Sequence, residues 1–195
     1  MGAFGGNLVK HVERSSAGST LFSAAPYEYS YYRANGQQPV VLDQLKSFSV
    51  YLLSSGGPVA VEPLRVELRQ GDHLQIEGSA VTLKPSGPIE LLIAGSPEAT
   101  PADPGVRMTR AADLYRVTKP WGHELWINGE HPRYAFKQIF LRGGQKTSLQ
   151  YHHRKQETNV LFEGAAKLHY KQSQGVTNDQ VKPADVTSVE LRPVM

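Results

Sequence analysis

The sequence predicts an all-β protein assembled from many short strands. Short runs rich in apolar and aromatic residues recur along the chain, each closed by Gly, Pro, Ser or Asp. The 18 Gly and 13 Pro are scattered rather than clustered, which suits a fold with frequent turns. In the N-terminal half, no window of about 12 residues or more sustains a helical period of apolar positions.

In chain order, residues 1–20 are Gly- and Ser-rich without periodicity and predict an arm. Tyr27–Ala34 (YEYSYYRA) is a strand candidate that ends at the turn signal Asn35-Gly36. VVLDQL, FSVYLLS, the VEPLRVEL run, HLQIEG, AVTLKP and IELLIAGS come next, at the short spacing of an all-β sandwich or barrel. Ser96–Gly105 (SPEATPADPG) holds three Pro and no large apolar side chain, the composition of a linker. Arg110–Val117 predicts a short helical turn, after which strands resume with HELWI, YAFKQIFL, KTSLQYHH and TNVLFEGAAKLHY. A polar, loop-like stretch leads to a last strand, TSVELRP. The expected layout is an arm over 1–20, a β-barrel domain over 21–96, a linker over 97–109 and a second β-domain over 110–195. A faint internal echo supports two related domains: Val66-Glu67-Leu68-Arg69-Gln70-Gly71-Asp72 resembles Ile139-Phe140-Leu141-Arg142-Gly143-Gly144-Gln145.

Composition narrows the function. No apolar run approaches the roughly 18 residues of a membrane span. The N-terminal residues lack the apolar core of a signal peptide, so a cytoplasmic protein without a membrane partner is expected. Cysteine is absent, so any metal must be held by nitrogen and oxygen donors. The net charge is +3 with no cluster of Lys and Arg, which argues against a nucleic-acid partner and is compatible with a small anionic substrate.

One stretch carries chemistry, Gly144–Gly164 (GQKTSLQYHHRKQETNVLFEG). On a strand, side chains alternate between faces, so Gln150 and His152 point the same way, with Leu149 and Tyr151 opposite. Glu157 lies across a short turn and brings a carboxylate toward the same point. An amide oxygen, an imidazole nitrogen and a carboxylate oxygen suit Zn²⁺, Mn²⁺, Fe²⁺ or Ni²⁺. By the same alternation His153 faces outward. His123, His131 and His169 lack partners at ligand spacing, and His73 belongs to the first domain. Lys137 alternates with apolar Phe136 and can point inward, where a buried ammonium needs an anionic partner.

These spacings resemble the first motif of the cupins: a Gly, five residues, His-x-His, three or four residues, a Glu, six residues and a Gly. Here Gly144 is followed by five residues, Gln150-x-His152, four residues, Glu157, six residues and Gly164. Gln150 stands in place of the first His. Cupin-type mannose-6-phosphate isomerases carry Gln-x-His there, and this chain reads Ser148-Leu149-Gln150-Tyr151-His152. The type II members are similar upstream as well, at Pro120-Trp121-Gly122, Phe136-Lys137-Gln138-Ile139 and Gly143-Gly144-Gln145-Lys146. Where that family has a further His and then Arg, this chain has Arg154 and Lys155.

The resemblance implies two cupin-like β-barrel or jelly-roll domains, a bicupin whose first barrel is degenerate. Cupins supply a fourth ligand, a His, from a second motif downstream. The 26 residues after His169 contain none, so the expectation is either an incomplete second barrel or a lost fourth ligand. The resemblance further implies metal ligands Gln150, His152 and Glu157, with Zn²⁺ preferred. Lys155 and Lys137 are the candidate catalytic and phosphate-holding residues, and Arg154 is a further substrate contact. Lys155 reads equally as a solvated turn lysine. The implied activity is aldose–ketose isomerisation of a sugar phosphate, in a homodimer. The alternatives are a non-catalytic sugar-binding or regulatory module with a vestigial metal site, and a different cupin enzyme.

Overall fold

A computed structural model of the chain describes residues 19–24, 27–43, 45–98, 104–150, 157–171 and 186–193. They fall into two compact units, one ending at Gln145 and the other beginning at Lys146. The strands of the first unit begin with β1 (Ser19–Ala24), β2 (Tyr27–Ala34), β3 (Val40–Leu42), β4 (Ser47–Ser55) and β5 (Val59–Glu62). They continue with β6 (Val66–Leu68), β7 (His73–Glu77), β8 (Val81–Pro85), β9 (Ile89–Ser96) and β10 (Gly105–Thr109). A short 3-10 turn at Ala111–Asp113 precedes β11 (Tyr115–Lys119), β12 (Gly122–Asn128) and β13 (Phe136–Leu141).

Strands β2 to β9 pair in the order β2-β9-β4-β7 in one sheet and β3-β8-β5-β6 in the other. This is the strand order of a jelly roll, two four-stranded sheets wound from Greek keys. β1 and β10 extend the first sheet at its two edges, giving six strands. The alternation written in the sequence decides which face is buried in the barrel. Phe48, Val50 and Leu52 of β4, Leu74 and Ile76 of β7 and Ile89 and Leu91 of β9 point inward. They meet Val40, Val59, Val61, Leu68, Val81 and Leu83 of the opposing sheet. The interior of this barrel is thus filled by apolar side chains. Outside, the two sheets differ. On the four-stranded sheet, Lys84 and Glu62 pair at 2.5 Å with both side chains in water. Much of the outer face of the six-stranded sheet is buried instead, under Asn128, Tyr134 and Phe136, which lie at the end of β12, beyond it and at the start of β13. Phe136 lies edge-on to Tyr29 and Tyr51, at 5.7 and 6.4 Å between ring centroids. Burial there raises the hydroxyl of each of those two tyrosines above its ordinary pKa.

Several sequence expectations change in detail. VEPLRVEL is not one run: Pro63–Arg65 form a turn between β5 and β6, with Arg65 N–H donating to the Val61 carbonyl at 2.9 Å. Gly105–Thr109, which starts at the last residue of the Pro-rich stretch, is a strand because β7 offers it a free edge in register, Arg107 opposite Gln75. The expected strand from Lys146 has no ladder through Gln150, where every residue is exposed and none pairs with another described strand. In the second unit, β14 (Ala166–Tyr170) pairs with β15 (Thr187–Leu191). No helix of the described residues is long and apolar enough to cross a membrane.

Candidate functional site

The predicted ligand hairpin is described only at its ends. Gln150 and Glu157 are both exposed, while His152, Arg154 and Lys155 lie outside the described residues. Gly144 takes φ +73° in the turn leading to it, and Gln145 N–H donates to the Arg142 carbonyl at 3.0 Å. No group of three or more His, Asp or Glu side chains at metal-binding distance occurs among the described residues.

Lys137 has the anionic partner its position calls for. Its Nζ donates to Glu124 Oε1 at 3.3 Å and lies 5.1 Å from the centroid of the Trp126 ring. The register explains both contacts, because Lys137 stands directly opposite Trp126 and the neighbouring pair is Ile139 with Glu124. His123 stacks on Phe140 at 5.1 Å, and His169 Nδ1 is 2.7 Å from Ser188 Oγ.

The densest polar cluster of the described residues lies elsewhere, on the outer face of β4 and β7. Ser49 Oγ donates to Gln75 Oε1 at 2.8 Å, and Asn128 Nδ2 donates to the same oxygen at 2.8 Å and to Ser49 Oγ at 3.0 Å. Gln75 Nε2 donates to Glu77 Oε1 at 2.7 Å and to the Tyr134 hydroxyl at 3.2 Å. His131 closes the cluster: its N–H donates to Asn128 Oδ1 at 3.2 Å, and its Nε2 is 2.9 Å from Ser47 Oγ and 3.3 Å from Glu77 Oε1. Burial lowers the His131 pKa against the opposing pull of Glu77. Sequence reasoning alone misses these residues. Their only signal is local, since Ser47, Ser49, Gln75 and Glu77 fall at every second position between apolar neighbours. That marks an outward face but not what covers it. His73, on the same face, is buried with both ring nitrogens unpartnered among the described residues. Burial, reinforced by Arg107, pushes its pKa down to about 4.

Residues 108–186 match the family described as mannose-6-phosphate isomerase, C-terminal. This segment resembles the cupin-type C-terminal domain of mannose-6-phosphate isomerase. The match encloses the whole Gly144–Gly164 stretch, so the ligand spacing falls inside it. No curated protein matches the chain. Among solved structures, protein Ylba from E. coli is 14% identical, with 58% of this chain and 50% of that one covered at a TM-score of 0.45. An iolb-like protein from Salmonella typhimurium is 12% identical, with 63% and 53% covered at 0.47. A cupin 2 conserved barrel domain protein from Leptotrichia buccalis is 12% identical, with 61% and 59% covered at 0.38. The chain spans about half the length of the first two.

Proposed function

We propose that the cupin-type domain serves a metal-dependent aldose–ketose isomerisation of a sugar phosphate, as in mannose-6-phosphate isomerase. One observation carries the reading: the Gln150, His152, Glu157 spacing falls inside the segment that matches that enzyme's C-terminal domain. The donor set fits a divalent cation of the Zn²⁺ type, with Mn²⁺, Fe²⁺ and Ni²⁺ as neighbours in preference. Bound there, the cation supplies Lewis acidity toward a carbonyl and its adjacent hydroxyl. The chain's own contribution is placement of the sugar. Arg154 and Lys155 stand between ligands His152 and Glu157 in sequence and offer cationic donors to a phosphate monoester. Lys137, paired with Glu124 at 3.3 Å, is a further cationic candidate within the matching segment. A positioned base must carry the proton between the adjacent carbons.

The test is conversion of mannose-6-phosphate to fructose-6-phosphate by the full chain loaded with Zn²⁺ or Mn²⁺. The expected result is turnover that falls about 100-fold or more in His152→Ala and Glu157→Gln. A metal-loaded, folded sample without turnover overturns the reading. The exposure of Gln150 and Glu157 favours a second reading, a sugar-binding or regulatory module with a vestigial site, because working metal ligands are usually held by an enclosing shell. Elemental analysis separates the two. Stoichiometric metal that disappears in His152→Ala excludes the vestigial site.

A further inference from the structure

A cleft of about 420 Å³ opens at the β7–β10 edge of the six-stranded sheet, within the size range of small-molecule sites. Its polar lining is Gln75, Glu77, Arg107, Asn128, Glu130 and His131, and it uses no residue of the metal hairpin. The floor is already built. Gln75 and Asn128 have both ends of their amides engaged, with Ser49, Glu77, Tyr134, His131 and each other. These side chains are therefore fixed before anything binds, and they have little hydrogen-bonding capacity left for a ligand.

The mouth is different. Arg107 and Glu130 are exposed and of opposite charge, and neither side chain forms a hydrogen bond or ion pair with another described residue. The space between the walls is kept by a glycine. Gly105 stands directly opposite Glu77 in the ladder, and a Cβ built on it would meet nothing within 4 Å. Pro132 supplies an apolar wall.

The charges select the ligand. A simple anion drawn to Arg107 also meets the carboxylates of Glu77 and Glu130. A simple cation drawn to those carboxylates meets Arg107. A molecule carrying both signs on neighbouring atoms is attracted by each side and repelled by neither. We propose that this cleft binds a small zwitterion of the α-amino-acid class, its carboxylate on the Arg107 guanidinium and its ammonium on Glu130. The planar guanidinium suits a carboxylate because two parallel N–H donors can meet its two oxygens.

The experiment is calorimetric titration of the full chain with glycine, L-alanine and L-glutamine, each alone. Acetate and methylammonium serve as single-charge probes and mannose as a neutral one. The expected result is binding of at least one amino acid, with acetate and methylammonium weaker by about tenfold or more. Arg107→Ala and Gly105→Val should each weaken that binding about tenfold or more. Both positions are exposed and neither variant removes a packed side chain, so the ligand-free melting temperature should stay unchanged. Failure of every amino acid to bind at about 10 mM overturns the proposal. So does acetate or mannose binding as tightly as the amino acids, or undiminished binding in both variants.

Discussion

Along β4 and β7, the two faces of the six-stranded sheet are buried to nearly the same degree and built from opposite chemistry. Facing the barrel, Val50, Leu74 and Ile76 are fully buried among aliphatic neighbours. Facing outward from the same strands, Ser47 and Ser49 are fully buried too, with His73 and Gln75 nearly so. The outer face of a two-sheet barrel ordinarily meets water, and polar residues at alternate positions are what such a face carries. Here the residues from Ile127 to Phe136 remove the water, so each polar atom must find a protein partner or stay unsatisfied at a cost. The serines and amides find partners in one another and in Asn128, His131 and Tyr134. The imidazole of His73 does not. Equal burial therefore implies different vulnerabilities: volume on the inner face, hydrogen-bond satisfaction and charge on the outer.

The inner face should break hardest. Ile76→Ala deletes a fully buried side chain from the centre of the barrel, and the cavity left behind adds to the lost transfer energy. The expected loss is about 2–5 kcal/mol, read as a lowered denaturant midpoint at unchanged slope. A loss within about 0.5 kcal/mol, the range of ordinary surface sites, would mean the interior is loosely packed.

On the outer face the next effect comes from protons. In the fold His73 stays neutral down to about pH 4, whereas in the unfolded chain it takes up its proton near 6.5. Between those values the unfolded state binds the extra proton, so stability is full above about pH 6.5 and falls as the pH drops toward 4. The shift corresponds to something on the order of 3 kcal/mol. His131 titrates in the same direction and adds to the decline. His73→Leu should flatten the acid limb and leave the parts that come from His131 and His123. It also removes two unsatisfied buried nitrogens, so stability at pH 7 should hold or rise. An acid limb unchanged in His73→Leu would show that another group causes it.

The same contrast explains what is legible in the sequence. Strands whose apolar residues alternate against a single core, such as Phe48-Val50-Leu52 and Leu74-Ile76, are visible because burial on one face writes a period of two. The repeated Leu-Arg-x-Gly phrase is legible for a local reason. Gly71 and Gly144 both take positive φ, at +86° and +73°, and in each turn the N–H three residues after the Arg donates to its carbonyl, at 2.9 and 3.0 Å. That geometry needs glycine at the third position and nothing from elsewhere in the chain. β10 and the polar cluster are not legible, because what makes them is a tertiary partner. Gly105–Thr109 becomes a strand only against β7, and Asn128 gains a role only where β12 carries it over Ser49 and Gln75. The ligand spacing from Gly144 to Gly164 is legible as a pattern, while Gln150 and Glu157 are exposed and His152 lies outside the described residues.

The smallest effect tests whether the outer face behaves as one network. Asn128→Leu removes two donors, to Ser49 and Gln75, and the acceptor for the His131 N–H, at an expected cost of about 1–3 kcal/mol. Gln75→Leu alone should cost about the same, since it leaves Tyr134 and Ser49 short of a partner. Neither value distinguishes a network from a set of separate bonds. The double variant does. If the two amides act together, the first substitution already strands the groups that the second would have stranded, and apolar side chains facing each other no longer demand partners. The pair should then cost less than the sum of the singles by about 0.5–3 kcal/mol in chemical denaturation. Simple additivity would mean that each bond stands alone, and the covered polar face would then be a set of tolerated pairs rather than a cooperative device holding Asn128–Phe136 to the sheet.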